Sequence, residues 1–568
     1  MRWPVRRLAT ALPFFYLLSP GLVTAFGLGE SFNGSERFAV MALSVWQLCL
    51  ALLVLGSPRH LLLAALPLAF LIPPYVYFCL KFGSVPGDAL VAATLYTSMA
   101  KSVEMVASFG WPALAGWLAI ALGYGALAWR TDPQWRVPAN TRKAGFAALL
   151  GIAGAMLLLH QLAPQAVQLP PVFEPDNVAR VFPGNLAQSA LRASKQLSAP
   201  SRWTSLNGTA RHGWAGQPLL VVYVIGESVR PDHMSLYGYP RETTPTLRAM
   251  SNDLIRFTDV ASTAHFTFMA LTNLVTVKTP GAPASLVRTF SEAGFATAWL
   301  SNQERTFLTE GADQIDHADG PYDFHFRRDS VLLTPFVSFT RQAGPRQFVV
   351  LHMNGSHFPY EERYGAQAKR FAPTLGDKGL TGHPGPDHKA EAINSYDNTL
   401  VELDGFLGSL FRILKAEIRP TLLVFTSDHG ENLFDDGRHR FMHALQTPSS
   451  WDTQVPLVIW SNAAYKALNP VALESLQARS TYPVGHRDLF PTLLDLAGIE
   501  WMNAASQASL SSASWQPRER LLETFDALGP DFDELRRQEQ GCTSATSDDG
   551  GQAASAATAS PCKRLLIR

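Results

Sequence analysis

The chain has little charge and few cysteines. Only 17% of its 568 residues are Asp, Glu, Lys or Arg, whereas about 25% is usual for soluble proteins. The 47 basic and 47 acidic residues leave no net charge, which excludes a basic nucleic-acid-binding protein. The four cysteines lack the spacing of a thiolate metal site, so we expect oxygen and nitrogen atoms to be the ligands of any bound metal. Cys49 and Cys79 fall in apolar stretches and are predicted to be buried free thiols.

The shortage of charge is concentrated in residues 1–164, which hold only 11 Lys and Arg and 5 Asp and Glu. The rest of the chain holds 36 basic and 42 acidic residues. Each apolar stretch of the first part approaches the ~17–25 residues that a helix needs to cross a bilayer. We therefore predict a five-helix transmembrane domain, with helices near residues 9–28, 38–56, 60–80, 112–129 and 144–163.

The first apolar stretch has two interpretations. Arg2, Arg6 and Arg7 precede it, as basic residues precede the apolar core of a secretory signal peptide. Four more apolar stretches follow, however, and no small-residue cleavage pattern ends the first, which favours an uncleaved anchor. Basic residues are concentrated in the loops that lie inside if the N-terminus is cytoplasmic. Five crossings then predict a multi-pass protein of a bacterial inner membrane, with everything after residue 164 in the periplasm.

Three further segments have compositions of their own. Residues 88–108 are too polar to span a membrane and are predicted to form an interfacial helix on the outer face, or a loop packed on the bundle. Residues 165–216 are predicted to form a connector with one helix, and residues 536–568 to form a low-complexity tail. Cys542 and Cys562 flank the Ser-, Ala- and Gly-rich part of this tail and could pair outside the cytoplasm.

Residues 217–535 are predicted to form an α/β domain. Short, nearly continuous apolar runs alternate with helical segments, as expected for strands that are buried on both faces of a mostly parallel central sheet flanked by helices. The polar run at residues 313–323 is predicted to be a solvated turn. The predicted strands lie at residues 219–226, 296–301, 348–354, 422–428 and 455–460.

Acidic and imidazole side chains follow several of these strands. Glu227 comes after the first run, and Asp428 and His429 come after the fourth. Functional groups of such sheets gather at the carboxyl ends of strands, so these side chains are candidates for one site. Oxygen and nitrogen ligands without thiolate fit Zn²⁺ or Mn²⁺. The alternative is that the two acids only cap the helices that follow them.

A hydroxyl nucleophile is available in the threonine-rich segment 257–276. Thr263, Thr267 and Thr272 surround an apparent helix start, where backbone amides favour a bound phosphate. A hydroxyl needs a metal or a base to become a good nucleophile. The alternative interpretation is an ordinary capped helix.

At this point the sequence resembles a known family. VVYVIGESVRPDHMSLYGYPRETTPTL (221–247) is similar to the opening of the outer domain of bacterial membrane-anchored phosphoethanolamine transferases, in the alkaline phosphatase/sulfatase superfamily. The resemblance covers nearly the whole chain except the tail and implies a sulfatase-like fold. Further similar segments follow in the same order: NGSHFPYEERY (354–364), NSYDNTLVELDGFL (394–407), TSDHGENLFDDGRHRFMHA (426–444) and HRDLFPTLLDLAGI (486–499).

The resemblance implies a role for each matching residue. Thr267 resembles the nucleophile that becomes phosphorylated, and it also resembles a metal ligand together with Glu227, Asp428 and His429. One zinc ion is expected, a second zinc ion could bind as well, and Mn²⁺ is the alternative metal. The segment STAHFT before Thr267 lacks the cysteine that well-known members carry there, so Thr263 and Thr272 stay open as nucleophiles.

Three further residues resemble substrate-binding groups of the family. His357 and His443 resemble the pair that handles the phosphoryl headgroup or a second zinc ion. Glu104, in the predicted outer membrane loop, would face the donor headgroup.

The resemblance also implies a reaction. Phosphoethanolamine would be transferred from phosphatidylethanolamine to a lipid or glycan of the outer envelope, such as lipid A or the lipopolysaccharide core, through a phosphothreonine intermediate at a zinc site. Alternatives are a glycerol-phosphate transferase, a phosphodiester hydrolase, a sulfatase-type hydrolase or an inactive membrane scaffold. Ser198–Arg202 matches the short motif that sulfatases modify, but it precedes the first strand instead of following it.

Overall fold

The structure is a computed structural model of the full chain. It describes residues 3–27, 34–82, 85–96, 111–162, 180–198, 200, 202–303, 305–317, 328–380, 384–435, 438–445, 447–502, 508–523 and 528–547. Contacts divide the described chain into two compact units. The N-terminal unit contains the described residues up to Ala92 and from 111 to Lys195, and the C-terminal unit contains residues 93–96 and the residues from Gln196 onward.

The N-terminal part of the chain is helical, as its apolar composition predicts. Its helices are α1 (Trp3–Leu22), which continues into a π-helical turn (Val23–Gly27), α2 (Gly34–Leu55), α3 (Pro58–Ala64), α4 (Leu66–Phe82), α5 (Asp88–Tyr96), α6 (Trp111–Arg130), α7 (Ala139–Leu162) and α8 (Gly184–Leu197).

The predicted number of five membrane spans is not confirmed. Among the described residues, α2 and residues 112–130 of α6 are long and apolar enough to cross a membrane. The pair α3 and α4 adds a third span only if it is counted as one helix, because the two are bent by 60°. The apolar part of α1 is shorter, and α7 carries Arg142, whose guanidinium donates a hydrogen bond to the Leu53 carbonyl at 2.7 Å.

Polar contacts attach helix α8 to other helices of the N-terminal unit. The Asn185 side chain donates to the Tyr75 hydroxyl at 3.2 Å, and Arg192 forms an ion pair with Asp88 at 3.0 Å. Helix α8 therefore packs against this unit, although composition predicts only a connector there. Of the two cysteines predicted to be buried, Cys79 is buried, but Cys49 is exposed.

A seven-stranded sheet forms the centre of the C-terminal unit. The strands β1, β3, β4, β5 and β6 run parallel in the order β6-β1-β5-β3-β4. Strand β7 pairs antiparallel with β6, and β2 pairs antiparallel with β7. The strands are β1 (Leu219–Gly226), β2 (Leu254–Phe257), β3 (Ala296–Ser301), β4 (Gln314–His317), β5 (Arg346–His352), β6 (Thr421–Ser427) and β7 (Leu457–Ser461).

The sheet is therefore mixed, and the expected mostly parallel sheet is not confirmed. The chain leaves β6 and returns along β7 through loops and a short hairpin (Asn432–Leu433 with Phe441–Met442). A parallel neighbour would need a crossover to the opposite end of the sheet, whereas this connection returns at the same end.

The five predicted apolar runs all form strands, because the sheet is covered on both faces. Alternate residues of β1 join opposite apolar clusters: Leu219 and Val221 face one, and Leu220 and Val222 face the other. The helices of this unit are α9 (Pro245–Ala249), α10 (Thr267–Val275), α11 (Leu286–Glu292), α12 (Leu333–Gln342), α13 (Lys389–Lys415), α14 (Ala463–Leu468), α15 (Pro470–Ala478), α16 (Leu489–Leu496) and α17 (Phe532–Ser547).

Two details differ from expectation. Residues 314–317, predicted to be part of a solvated turn, form the edge strand β4. Helix α17 extends into the segment that composition assigns to a low-complexity tail, and its Glu539 is buried. Further two-stranded pairs are Thr209–Ala210 with Ile499–Glu500, Val260–Ala261 with Val484–Gly485, Thr276–Val277 with Ala284–Ser285, and Leu521–Glu523 with Leu528–Asp531.

Candidate active site

The ends of two neighbouring parallel strands create the site. In the register of β1 and β6, Gly226 lies opposite Ser427, so the residues that follow, Glu227 and Asp428, leave the sheet side by side. His429 comes next, and all three of these side chains are fully buried. Parallel pairing thus brings together the three candidate ligands that lie far apart in the sequence.

These three side chains lie close to one another. His429 Nε2 lies 3.4 Å from Glu227 Oε1 and 3.4 Å from Asp428 Oδ2. Backbone amides of Ser228 and His429 donate to Asp428 Oδ1, at 3.1 and 2.7 Å. The other oxygen, Oδ2, accepts no hydrogen bond from the described residues. A buried carboxylate oxygen without a donor fits a metal ligand, because an unsatisfied buried acceptor is otherwise costly.

His443 joins this group. Glu227, His429 and His443 each offer a ligand atom, and these atoms lie within 4.8 Å of one another. The His429 and His443 rings are 4.1 Å apart between centroids, and His357 follows at 5.9 Å from His443. The structure therefore brings together all the predicted acids and imidazoles of the C-terminal unit.

Electrostatics at this position favour a bound cation. Burial, and next the charge of Glu227, raise the pKa of Asp428 to about 7. Burial alone would lower the pKa of His429, but Asp428 and Glu227 outweigh it and raise that pKa. Burial, and next His429, lower the pKa of His443 to about 3, which keeps this imidazole neutral as a metal ligand must be.

Thr267 lies beside the acids at the start of a helix. It is the first residue of α10, and its hydroxyl donates to Glu227 Oε2 at 3.1 Å and lies 3.3 Å from His429 Nε2. Thr272 lies further along the helix and donates to the Phe268 carbonyl. Thr263 lines a cavity together with Arg487 and Arg518. Of the three threonines, Thr267 is the one whose hydroxyl lies beside Glu227 and His429.

Two buried side chains that were not predicted from the sequence support the site. The Gln303 amide donates to Glu227 Oε2 at 2.9 Å and to the Met353 carbonyl at 2.6 Å. Glu431 Oε1 lies 3.2 Å from His443 Nδ1. Gln303 follows strand β3 just as Glu227 follows β1, so inspecting that strand end would have found it. His352, at the end of β5, contacts Ser301 within the sheet instead.

Close backbone packing requires a glycine beside Glu227. Gly355 has a φ of +44°, and a Cβ there would lie 2.7 Å from the Glu227 carbonyl oxygen. The Asp329 carboxylate accepts from the amides of Asn354 and Gly355 and from the Asn302 side chain. Asp329 thus ties the loop of Gln303 to the loop that carries His357.

Two predictions fall outside the described residues. Glu104 lies in residues 97–110, which the structure does not describe. Cys562 also lies outside the described residues, and Cys542 lies in helix α17, so their pairing stays a prediction.

Comparison with known sequences identifies the domain. The family profile described as Sulfatase matches residues 220–499. Phosphoethanolamine transferase EptC of Escherichia coli strain K12 is 30% identical over 310 residues, which are 50% of this chain and 52% of EptC. Phosphoethanolamine transferase CptA of Salmonella typhimurium is 28% identical over 332 residues, 54% of this chain and 55% of CptA. The matches thus span about half the length of these relatives.

Solved structures share the fold. The integral membrane protein lipooligosaccharide phosphoethanolamine transferase A (EptA) of Neisseria meningitidis superposes with a TM-score of 0.67 at 21% identity, covering 87% of this chain and 96% of that one. The zinc complex of the C-terminal periplasmic domain of Escherichia coli EptC superposes with a TM-score of 0.51 at 25% identity, covering 60% of this chain and 99% of that domain. Residues 220–499 thus match the sulfatase family, and the chain is homologous over about half its length to bacterial phosphoethanolamine transferases.

Proposed function

We propose that this protein transfers phosphoethanolamine from phosphatidylethanolamine to an outer-envelope acceptor, lipid A or the lipopolysaccharide core, with Thr267 as the nucleophile. The observation that carries the proposal is the position of the Thr267 hydroxyl, within hydrogen-bonding distance of both Glu227 and His429 at the start of helix α10. The sequence similarity to phosphoethanolamine transferases supports the reaction class.

Zinc is the metal that we propose for the site. Glu227, Thr267, Asp428 and His429 would hold it, and the zinc complex of the Escherichia coli relative supports this choice. When bound, zinc would lower the pKa of the Thr267 hydroxyl and neutralise charge on the phosphoryl oxygens. His443 would hold a second zinc ion or bind the phosphoryl headgroup together with His357.

The reaction would have two displacements. In the first, Thr267 Oγ1 forms a bond to phosphorus while the bond from phosphorus to the glycerol oxygen breaks. The Thr267 proton passes to Glu227 Oε2, to which the hydroxyl already donates, and His357 protonates the leaving oxygen of diacylglycerol. In the second, an acceptor oxygen attacks the phosphothreonine and gives its proton to His357, and Thr267 recovers its proton from Glu227.

The proposed location is a bacterial inner membrane, with several membrane-spanning helices and the catalytic domain in the periplasm. The apolar N-terminal helices support an anchor, and the named relatives include an integral membrane protein and a periplasmic domain. The two acyl chains of the donor would stay in the bilayer with its headgroup at the interface. Anchoring would then raise the effective concentration of donor and enzyme for each other.

The test uses the full chain in vesicles that contain phosphatidylethanolamine with labelled acyl chains, with and without lipid A. We expect diacylglycerol release that depends on the acceptor, and a phosphoethanolamine adduct on Thr267 by mass spectrometry after rapid quenching. Thr267→Ala should lower transfer by a factor on the order of 10⁴ or more. Its zinc content should stay largely intact.

Thr272→Ala is the matched control, because Thr272 lies on the same helix but donates to a backbone carbonyl. Its transfer rate should stay within about twofold of the unsubstituted rate, since a surface or helix hydroxyl contributes little. Retained transfer in Thr267→Ala would contradict the nucleophile assignment. Release of phosphoethanolamine into water without any acceptor would instead support a hydrolase.

A further inference from the structure

Glu539 is a buried acid outside the part of the chain that matches the sulfatase family. It lies on helix α17, beyond residue 499, and its side chain is only 2% exposed. Its Oε1 accepts from Arg438 at 2.7 Å and from Arg440 at 2.5 Å. Its Oε2 accepts from the Ser450 amide and hydroxyl, at 2.8 and 2.6 Å.

These contacts lie on both sides of His443 in the sequence. We call residues 438–445 and 447–450 the His443 segment, because Arg438 and Arg440 precede this histidine and Ser450 follows it. Arg440 is itself buried, and its Nη1 donates to the Pro448 carbonyl at 3.1 Å. One carboxylate on α17 therefore joins the beginning and the end of the segment that carries His443.

The His443 segment has a backbone that needs external support. His439, Met442 and Ala444 have φ values of +52°, +67° and +58°, in the left-handed region that residues other than glycine rarely adopt. Such conformations persist only where the surrounding structure holds them. The pairing of Phe441 and Met442 with the strand Asn432–Leu433 is only two residues long.

The opposite side of the segment is attached to the nucleophile segment. The Ala444 amide donates to the His265 carbonyl at 3.0 Å, and His265 Nε2 lies 2.9 Å from the Leu445 carbonyl. The His443 segment is thus attached to the residues just before Thr267 and to Glu539, in addition to the contact between His443 and Glu431. Loss of either attachment would leave the strained backbone free to relax.

We infer that Glu539 is a positioning residue that holds His443 at the site through Arg440 and Ser450. The inference rests on the proposed function only in taking His443 as a ligand of a zinc ion, which it could hold together with Glu227 and His429. Without the charge of Glu539, the buried Arg440 guanidinium would lose the ion pair with Glu539, and the His443 segment would move to solvate it. His443 would then leave its place beside His429.

The test compares Glu539→Gln with Asp533→Asn in the full chain. Asp533 lies on the same helix and also pairs with two arginines, Arg520 and Arg536, away from the His443 segment. Zinc affinity is measured by competition with a chelator, without any lipid. We expect Glu539→Gln to weaken zinc binding about tenfold, as loss of supporting groups around a metal ligand does. Asp533→Asn should change it less than about twofold, as expected for a distant independent site.

A double substitution separates positioning from general destabilisation. In a His443→Ala background, Glu539→Gln should weaken zinc binding by less than about twofold further, because the residue through which it acts is gone. The inference would be overturned if Glu539→Gln weakened zinc binding equally with and without His443→Ala. Equal zinc affinities of Glu539→Gln and Asp533→Asn would overturn it too. If Glu539→Gln does not fold, Ser450→Ala removes one hydrogen bond and leaves no charge unpaired, and it should weaken binding about threefold. An unchanged affinity in Ser450→Ala would then overturn the inference.

The proposed function can fail separately. If the unsubstituted chain releases no diacylglycerol while Glu539→Gln still weakens zinc binding, the transferase proposal is wrong and the positioning role stands. If transfer occurs but zinc affinity and transfer are the same in Glu539→Gln and Asp533→Asn, only the positioning role is wrong.

Discussion

Two groups of acids in the C-terminal unit differ in what neutralises them. Away from the site, arginines do so: Arg241 contacts Asp397 at 2.6 Å, and Arg438 and Arg440 contact Glu539. At the site, hydroxyl and amide groups donate to Glu227, and backbone amides donate to Asp428. These donors are uncharged, and the imidazole of His429 lies 3.4 Å from each acid in place of an arginine.

The pKa of one arginine-paired acid, Asp259, shifts in the opposite direction to the pKa values of two acids of the site. Burial would raise the pKa of Asp259, but the guanidinium groups of Arg520 and Arg536 outweigh burial and lower it. At the site, burial and Glu227 raise the pKa of Asp428 to about 7, and burial raises the pKa of Glu431 well above its usual range. Buried carboxylates without a cationic side chain either take up protons or bind a metal. The difference between the groups therefore indicates a place for an external cation.

Among substitutions of the acids and their supporting groups, the largest effect should come from neutralising Glu227. We expect Glu227→Gln to lose most of its zinc and to lower transfer by a factor on the order of 10³ or more, since the ligand charge is gone. Asp397→Asn is the matched control among the arginine-paired acids. It should lower the melting temperature, because Arg241 loses its partner, but keep the zinc content per folded chain. Elemental analysis and transfer assays check both variants. An unchanged zinc content in Glu227→Gln would mean that the site acids and the arginine-paired acids do not differ in binding a cation.

The effect of Asp428→Asn on stability should change sign when zinc is added. The folded-state pKa of about 7 lies above the ordinary value of 3.8, so folding favours the protonated acid. Without metal, the wild-type chain should match Asp428→Asn below about pH 4 and lose stability relative to it as the pH rises to 7. Above pH 7 the variant should be more stable by on the order of 4 kcal/mol.

With saturating zinc, the order should invert, because the charged carboxylate then binds the cation that the amide cannot hold as well. Thermal unfolding of both proteins with chelator and with zinc, from pH 4 to 8, measures which protein is the more stable one in each condition. A wild-type chain that is the more stable one in chelator at pH 8 would contradict the idea that the site carries uncompensated charge.

Gln303→Ala tests the uncharged support of Glu227. Removing the amide leaves Glu227 Oε2 with fewer donors, and we expect transfer and zinc affinity to fall about 10- to 100-fold. Gln347→Ala is the control, because Gln347 is equally buried and donates to the Thr340 and Ala343 carbonyls, away from the site. Its variant should lose stability but keep zinc affinity. Equal zinc affinities of Gln303→Ala and Gln347→Ala would show that Gln303 does not orient Glu227.

The apolar centre of the fold could be predicted from the sequence, but its edges could not. Strands β1, β3, β5, β6 and β7 lie where continuous apolar runs occur, because both faces of the sheet are covered. Edge strands β2 and β4 contain Arg256 and the polar run QIDH, since one side of each strand lacks a neighbour. Hydropathy also could not predict the bend between α3 and α4, because it measures the composition of a segment and not the direction of its helix axis.

The site was predictable where it follows strand ends and unpredictable where distant segments meet. Glu227, Asp428 and His429 directly follow β1 and β6, so the pairing of two strands is enough to unite them. The contact between His443 and Glu431 depends on a short hairpin, and the support from Glu539 depends on a helix much later in the chain. No local pattern encodes such contacts.

Ser228→Ala should have the smallest effect. Its hydroxyl donates to Glu227 Oε1 at 2.7 Å, and one such neutral hydrogen bond contributes about 1 kcal/mol, or roughly fivefold in transfer rate. Ser235→Ala is the control, because the Ser235 hydroxyl is also buried but contacts Thr244. If a cation neutralises Glu227, losing one of several uncharged donors must cost far less than losing the charge itself. A Ser228→Ala variant as inactive as Glu227→Gln would mean that hydrogen bonds, and not a metal, hold the charge of this site.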